Sequence, residues 1–147
     1  MDFHSNKILV PVELDDAPPR LLDDAARLAR KLGSKLIVLH VIDIRPLVAD
    51  FAVIPPIEEL HAFANETLQS WCDKLDDLKT DVVILHGNVV EEILDYADTV
   101  DADLIMMSTH GRRGVERLVL GSTAERVVRH SQRPVLTLRM MPARVTA

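Results

Sequence analysis

Cysteine is nearly missing from this 147-residue sequence: Cys72 stands alone, so no internal disulfide can form. Its neighbours Leu68, Trp71 and Leu75 mark it as a core thiol rather than a nucleophile. One buried thiol suits a reducing compartment, and a cytoplasmic location is expected. The first residues, Met1-Asp2-Phe3-His4-Ser5, lack a basic stretch followed by a long apolar one, so no signal peptide is expected. Apolar runs of membrane-spanning length are also missing. Positive charge is in short supply: the net charge of −6 argues against a general nucleic-acid binder. No GxxxxGK[ST] or GxGxxG stretch occurs, which excludes the Walker loop and the dinucleotide fingerprint. HExxH, CxxC and GxSxG are missing as well, and no nucleophile stands beside a matched base.

What is present is uneven. Residues 1–100 carry 9 Lys/Arg against 19 Asp/Glu, a net of −10, whereas residues 101–147 carry 8 Arg against 4 acids, a net of +4. The positive end coincides with a basic, glycine-containing loop, Ser108-Thr109-His110-Gly111-Arg112-Arg113-Gly114, which follows an apolar strand ending at Met107. The loop runs on to Leu120-Gly121-Ser122-Thr123 at the start of a helix. Amides freed by glycine and a helix N-terminus make a site for an anion such as a phosphate. Arginines near helix C-termini would also suit the helix dipole, a reading that fits Arg129 better than Arg112 and Arg113.

The length fits one domain, residues 1–147, and 48% apolar residues provide for a full core. Lys7 to Val12 reads as a strand buried on both faces. A helix is expected over about 18–32, where Leu22, Ala25, Ala26, Ala29 and Leu32 form one stripe and Gly33 stops it. Lys35 to Val41 is the second strand. Residues 43–56, with Pro46, Pro55 and Pro56, form the longest connection, expected either to be mobile or to cover a ligand. A second helix is expected over about 57–78, from apolar residues recurring at spacings of three and four. Asp81 to His86 is the third strand. Asn88 is a candidate cap for the third helix, with Glu91 three residues on and Ile93, Leu94 and Ala97 facing inward. The fourth strand is Leu104 to Ser108, the fourth helix runs from near Ser122 to about His130, and Pro134 to Arg139 is the fifth strand, ended by Pro142. Strands alternating with helices predict an α/β fold with a parallel sheet and right-handed crossovers. No internal repeat, low-complexity segment or second domain is visible.

Ligands of open α/β sheets bind beyond the carboxyl ends of strands, which makes the position of Gly111, Gly114 and Gly121 more informative than their number. Ser122 and Glu125 have capping-box spacing; Ser122 either caps the fourth helix, helps to hold a phosphate, or both. Glu13, Asp15 and Asp16 follow the first strand, where they either reach a ribose hydroxyl or a magnesium ion or simply shape a solvated turn. His40, His86 and His110 all fall at strand ends, but the third strand lies far from the fourth, so no metal cluster is expected.

Taken together, Ser108 to Gly114, then Leu120-Gly121-Ser122-Thr123-Ala124-Glu125-Arg126-Val127 and Arg133-Pro134-Val135-Leu136, resemble the C-terminal signature of the universal stress protein family. Ile8 to Glu13 and Leu39-His40-Val41 match as well, and the resemblance spans almost the whole chain. It implies a three-layer, doubly wound, Rossmann-like fold: a five-stranded parallel sheet of order 3-2-1-4-5 with two helices on each face. A nucleotide then belongs between strands 1 and 4, where the order reverses. The family's ATP-binding branch carries G-x2-G-x9-G-[ST]. Gly111 and Gly121 are its second and third glycines, Ser122 follows, and Ser108 stands where the first glycine is found. Glu13 replaces the family's aspartate. By this resemblance Pro11, Val12 and Val41 line an adenine. Gly111, Gly114, Gly121, Ser122 and Thr123 hold ribose and phosphates, with Met107, Ser108 and Arg112 completing the site and Glu13 holding the magnesium of Mg-ATP. The resemblance further implies a homodimer through strand 5, whose Val135, Leu136 and Leu138 make an apolar edge. The expected function is a cytoplasmic, ATP-binding stress-response or regulatory module with an unidentified protein partner and at most slow ATP hydrolysis, binding neither nucleic acid nor membrane. The alternative is a nucleotide-free dimeric interaction protein of the same fold.

Overall fold

The computed structural model of the chain describes residues 5–16, 18–45, 56–109 and 120–139. Its five strands are β1 (Lys7–Pro11), β2 (Lys35–Asp43), β3 (Thr80–Gly87), β4 (Leu104–Ser108) and β5 (Val135–Leu138). All neighbours pair in parallel, in the order β3-β2-β1-β4-β5. The helices described are α1 (Arg20–Leu32), α2 (Ile57–Cys72), α3 (Val89–Thr99) and α4 (Ser122–His130).

The apolar strand runs are explained by burial on both sides of the sheet. Ile8, Val10, Leu36, Val38 and Met106 pack with α1 and α2 in one core. Their alternates Leu9, Ile37, Leu39, Ile105 and Met107 pack with α3 and α4 in the other. This period of two serves both layers, so the central strands show no polar alternation. The fold is the three-layer α/β arrangement expected, with two of the described helices on each face.

Four local expectations are corrected. α1 begins at Arg20, two residues later than expected, because Pro19 forces Pro18 out of the helical region and itself stands extended as the N-cap (φ −68°, ψ 149°). α2 ends at Cys72, and a 3₁₀ turn over Asp73–Leu75 follows. Cys72 and Leu75 stay buried through this turn, and Leu78 just beyond it packs against the same core. β5 is shorter than expected at each end, beginning after Pro134, which lacks an N–H to pair. The N-cap of α4 is Gly121, not Ser122; Ser122 is the first helical residue, exposed, and Glu125 pairs with Arg129 instead of reaching back. The role of Pro142 lies outside the described residues, as does most of the 43–56 connection.

Other punctuation is as read. Gly33 closes α1 in the left-handed region at φ 66°, and Ser34 N–H donates to Ala29 O at 2.9 Å. Asn88 caps α3, its side-chain oxygen accepting from Glu91 N–H at 3.1 Å. Among the described residues no helix is long and apolar enough to cross a membrane.

Candidate functional site

The chain leaves β1 for α1 and β2 on one side of the sheet, and leaves β4 for α4 and β5 on the other. The carboxyl ends of these two adjacent central strands therefore part, and a cleft of about 1160 Å³ opens there. Pro11, Val12 and Glu13 line it from the end of β1, Val41 from β2, Met107 and Ser108 from β4, and Gly121, Ser122 and Thr123 from the start of α4. Sequence position thus brings these nine together. Gly111, Arg112 and Gly114 lie outside the described residues.

The sheet register accounts for one wall. Backbone groups of odd-numbered β2 residues turn toward β1: Lys35 N–H donates to Asn6 O, and Leu39 O accepts from Val12 N–H, both at 2.8 Å. Leu36 N–H, by contrast, donates to Lys79 O beside β3. Val41 has the odd orientation, but the β1–β2 register stops at Pro11 opposite Leu39. Among the described residues the Val41 N–H and C=O therefore have no strand opposite them on the cleft side. Val12 O, the ladder's next acceptor, is instead engaged by the His40 ring, whose Nδ1 lies 2.9 Å away. Both backbone groups of Val12 are thus committed within the protein, and its side chain is what it offers the cleft.

The opposite wall is the N-terminus of α4. Its first hydrogen bond runs from Glu125 N–H to Gly121 O at 2.9 Å, and no side chain caps the turn. Among the described residues, the N–H groups of Ser122, Thr123 and Ala124 have no acceptor. They carry the positive end of the helix dipole into the cleft. The Gly121 amide departs from expectation: it donates to Thr109 O at 2.6 Å, while Thr109 N–H donates to Leu138 O at 2.9 Å. That bond pins the start of α4 to the end of β4, so the anion-facing donors begin one residue later than the glycine motif implied. Gly121 has φ −60° and ψ 157°, open to any residue, so backbone freedom is not what calls for glycine here. Ser108, in the place of a motif glycine, has no positive φ either, and serine meets no backbone penalty in β4.

Charge in the cleft is mixed. Glu13, Asp15 and Asp43 line it, as do Arg20, Arg45 and Arg126. Arg45 Nη2 donates to Asp43 Oδ2 at 2.9 Å, a hydrogen bond that lowers the Asp43 carboxyl below its ordinary value despite some desolvation. No group of three or more His, Cys, Asp or Glu side chains that could hold a metal converges among the described residues, and His110 lies outside them. Sequence reasoning missed Arg126, Asn88 and the tether from His40. Arg126 alone left a signal: it stands four residues after Ser122, one helical turn along the same face.

The sequence model of the universal stress protein family matches residues 4–139. The chain belongs to that family. Universal stress protein MJ0531 of Methanocaldococcus jannaschii is 30% identical over 138 residues, covering 90% of this chain and 81% of the relative. The solved structure of MJ0577 from the same organism superposes with a TM-score of 0.80 at 26% identity, over 95% of this chain and 99% of that one. A universal stress protein from Archaeoglobus fulgidus, solved in complex with dAMP, has a TM-score of 0.64 at 21% identity over 92% and 98% of the two chains. At that distance it speaks for the fold.

Proposed function

We propose that the protein is a cytoplasmic adenine-nucleotide-binding module that takes ATP in this cleft and acts as a homodimeric stress-response or regulatory switch. One observation carries the reading: the two ends of a single cleft offer the two chemistries an adenine nucleotide needs. Val41 presents one N–H donor and one C=O acceptor, which match N1 and the exocyclic amine on the adenine edge. The N–H groups of Ser122, Thr123 and Ala124 present an anion site at the other end. Pro11 and the Val12 side chain supply apolar surface between them. Gly111, Arg112 and Gly114 would complete the phosphate side, as the resemblance implies. The dAMP bound by the protein from Archaeoglobus fulgidus is in keeping with this choice of ligand.

The carboxylates of the cleft fit magnesium. Mg²⁺ is usually held by one or two carboxylates plus phosphate oxygens. Glu13 lines the cleft, with Asp15 near it. Glu13 would share the ion with the phosphates, screening their charge. We assign the site to binding and switching rather than turnover, because none of its described residues pairs a general base with a position for attacking water.

The dimer is proposed through β5. It is an edge strand, and Leu136 on it and Val128 on α4 are 37% and 45% exposed. Val135 and Leu138 each pack partly into one of the two cores, so Leu136 is the apolar residue the edge leaves uncovered.

The test is mass spectrometry of the purified protein for co-purified nucleotide, followed by thermal melts with Mg-ATP. Binding to the native state raises Tm with ligand concentration. Bound adenine nucleotide, or a concentration-dependent rise, supports the reading. Neither, at millimolar ATP, favours the nucleotide-free interaction protein.

A further inference from the structure

Among the described residues three arginines line the cleft, and two are already engaged. Arg20 lies 3.8 Å from Asp24, and Arg45 is bound to Asp43. Arg126 has no carboxylate partner among the described residues, although its helix neighbour Arg129 is paired with Glu125. Helix geometry adds direction to this. Residue 126 sits above residues 122 and 123 on one face of α4, and helical side chains lean toward the N-terminus. Ser122, Thr123 and Arg126 accordingly all line the cleft. From that position a guanidinium has the reach to cover the turn whose three N–H groups have no acceptor among the described residues.

We propose that Arg126 is a specificity-determining residue that makes the site prefer nucleotides with more phosphates. The inference rests on the nucleotide reading above and deepens it. Fixed N–H groups of the first turn suit the phosphate next to the ribose, which every adenine nucleotide carries. A long, solvent-exposed side chain one turn further along reaches the outer phosphates, which only di- and triphosphates have. Its planar set of N–H donors matches phosphate oxygens and stays charged at any working pH. With no carboxylate partner among the described residues, Arg126 has no ion pair there to break first.

Calorimetric titration of ATP, ADP and AMP into the wild type, Arg126→Gln and Arg126→Lys tests this. Arg126→Gln is expected to weaken ATP binding about tenfold, the lower end for a hydrogen bond to a charged group. Its AMP affinity should stay within about twofold of the wild type, as for an exposed charge that the ligand does not touch. Arg126→Lys should recover most of the ATP affinity, and the salt dependence of ATP binding should flatten in Arg126→Gln. An unchanged ratio of ATP to AMP affinity in Arg126→Gln overturns the inference while leaving the nucleotide reading intact. A wild type that binds none of the three overturns both.

Discussion

Nδ1 of His40 lies 2.9 Å from the carbonyl oxygen of Val12, a contact that joins the end of β1 to the side chain of its neighbour β2. Carbonyls only accept, so the Nδ1 nitrogen carries the proton and donates. The bond takes the acceptor to which Val41 N–H would otherwise turn if the ladder continued. It also anchors the residue before Glu13. Replacing His40 by Ala leaves a partly buried carbonyl without its partner, at a cost of about 1 kcal/mol. His40→Ala should lower the urea midpoint and weaken ATP binding. His40→Asn, whose amide nitrogen occupies much the same place as Nδ1, should restore much of both. Calorimetry beside urea melts checks this, and equal ATP affinity in all three proteins would refute the tether.

Asn88 links fold and cleft in another way, capping α3 through Glu91 N–H while lining the site. Asn88→Ala is expected to cost about 1 kcal/mol of stability, the usual loss for such a cap. Asn88→Ser or Asn88→Asp should retain most of it. Chemical denaturation of the three variants is sufficient.

Cys72 supplies a pH prediction. Burial pushes its thiol above the ordinary value of 9.0, with Asp73 adding to the rise and a hydrogen bond with Thr80 opposing it. The unfolded chain therefore loses this proton first as pH rises. Its contribution to stability is intact below about pH 9 and fades as pH climbs through the higher native value. Between pH 8 and pH 10 the wild type should lose more stability than Cys72→Ala, and its thiol should resist alkylation until urea is added. Equal losses in the two proteins would show that the thiol is not shielded.

Leu136 tests the dimer. A lysine there puts charge on an edge strand, a common means of keeping edges from pairing. Sedimentation should show a dimer for the wild type and a monomer for Leu136→Lys, with unchanged circular dichroism. A monomeric wild type would remove the proposed assembly and leave the fold untouched.

Much of the fold could be read from residue order because burial and chain punctuation are local signals. Ile8 to Val10 and Leu36 to Leu39 are apolar without interruption because both faces of the sheet are covered. Gly33 and Asn88 end and begin helices by their own backbone and side-chain chemistry. The boundaries that shifted are a matter of a turn or less: Pro19 keeps Pro18 out of α1, and α2 gives way to a 3₁₀ turn at Asp73 without leaving the core. Within the site, Val12, Val41, Met107 and Ser122 were legible because strand ends and helix starts converge at a switch point. The amide of Gly121 was misread, since its partner, Thr109 O, is twelve residues away and becomes apparent only when β4 and α4 are set side by side. His40 and Arg126 escaped for the same reason: one depends on where β1 stops against β2, the other on which face of α4 looks into the cleft.

The account stands most directly on the N–H groups at the start of α4, and amide NMR during an ATP titration observes them one by one. Ser122, Thr123 and Ala124 should shift progressively and saturate together with Val41, while Ser34 and Thr80, at the opposite end of the sheet, stay still. Saturable binding that moves other amides and leaves these three unchanged would contradict it, as would no binding at all.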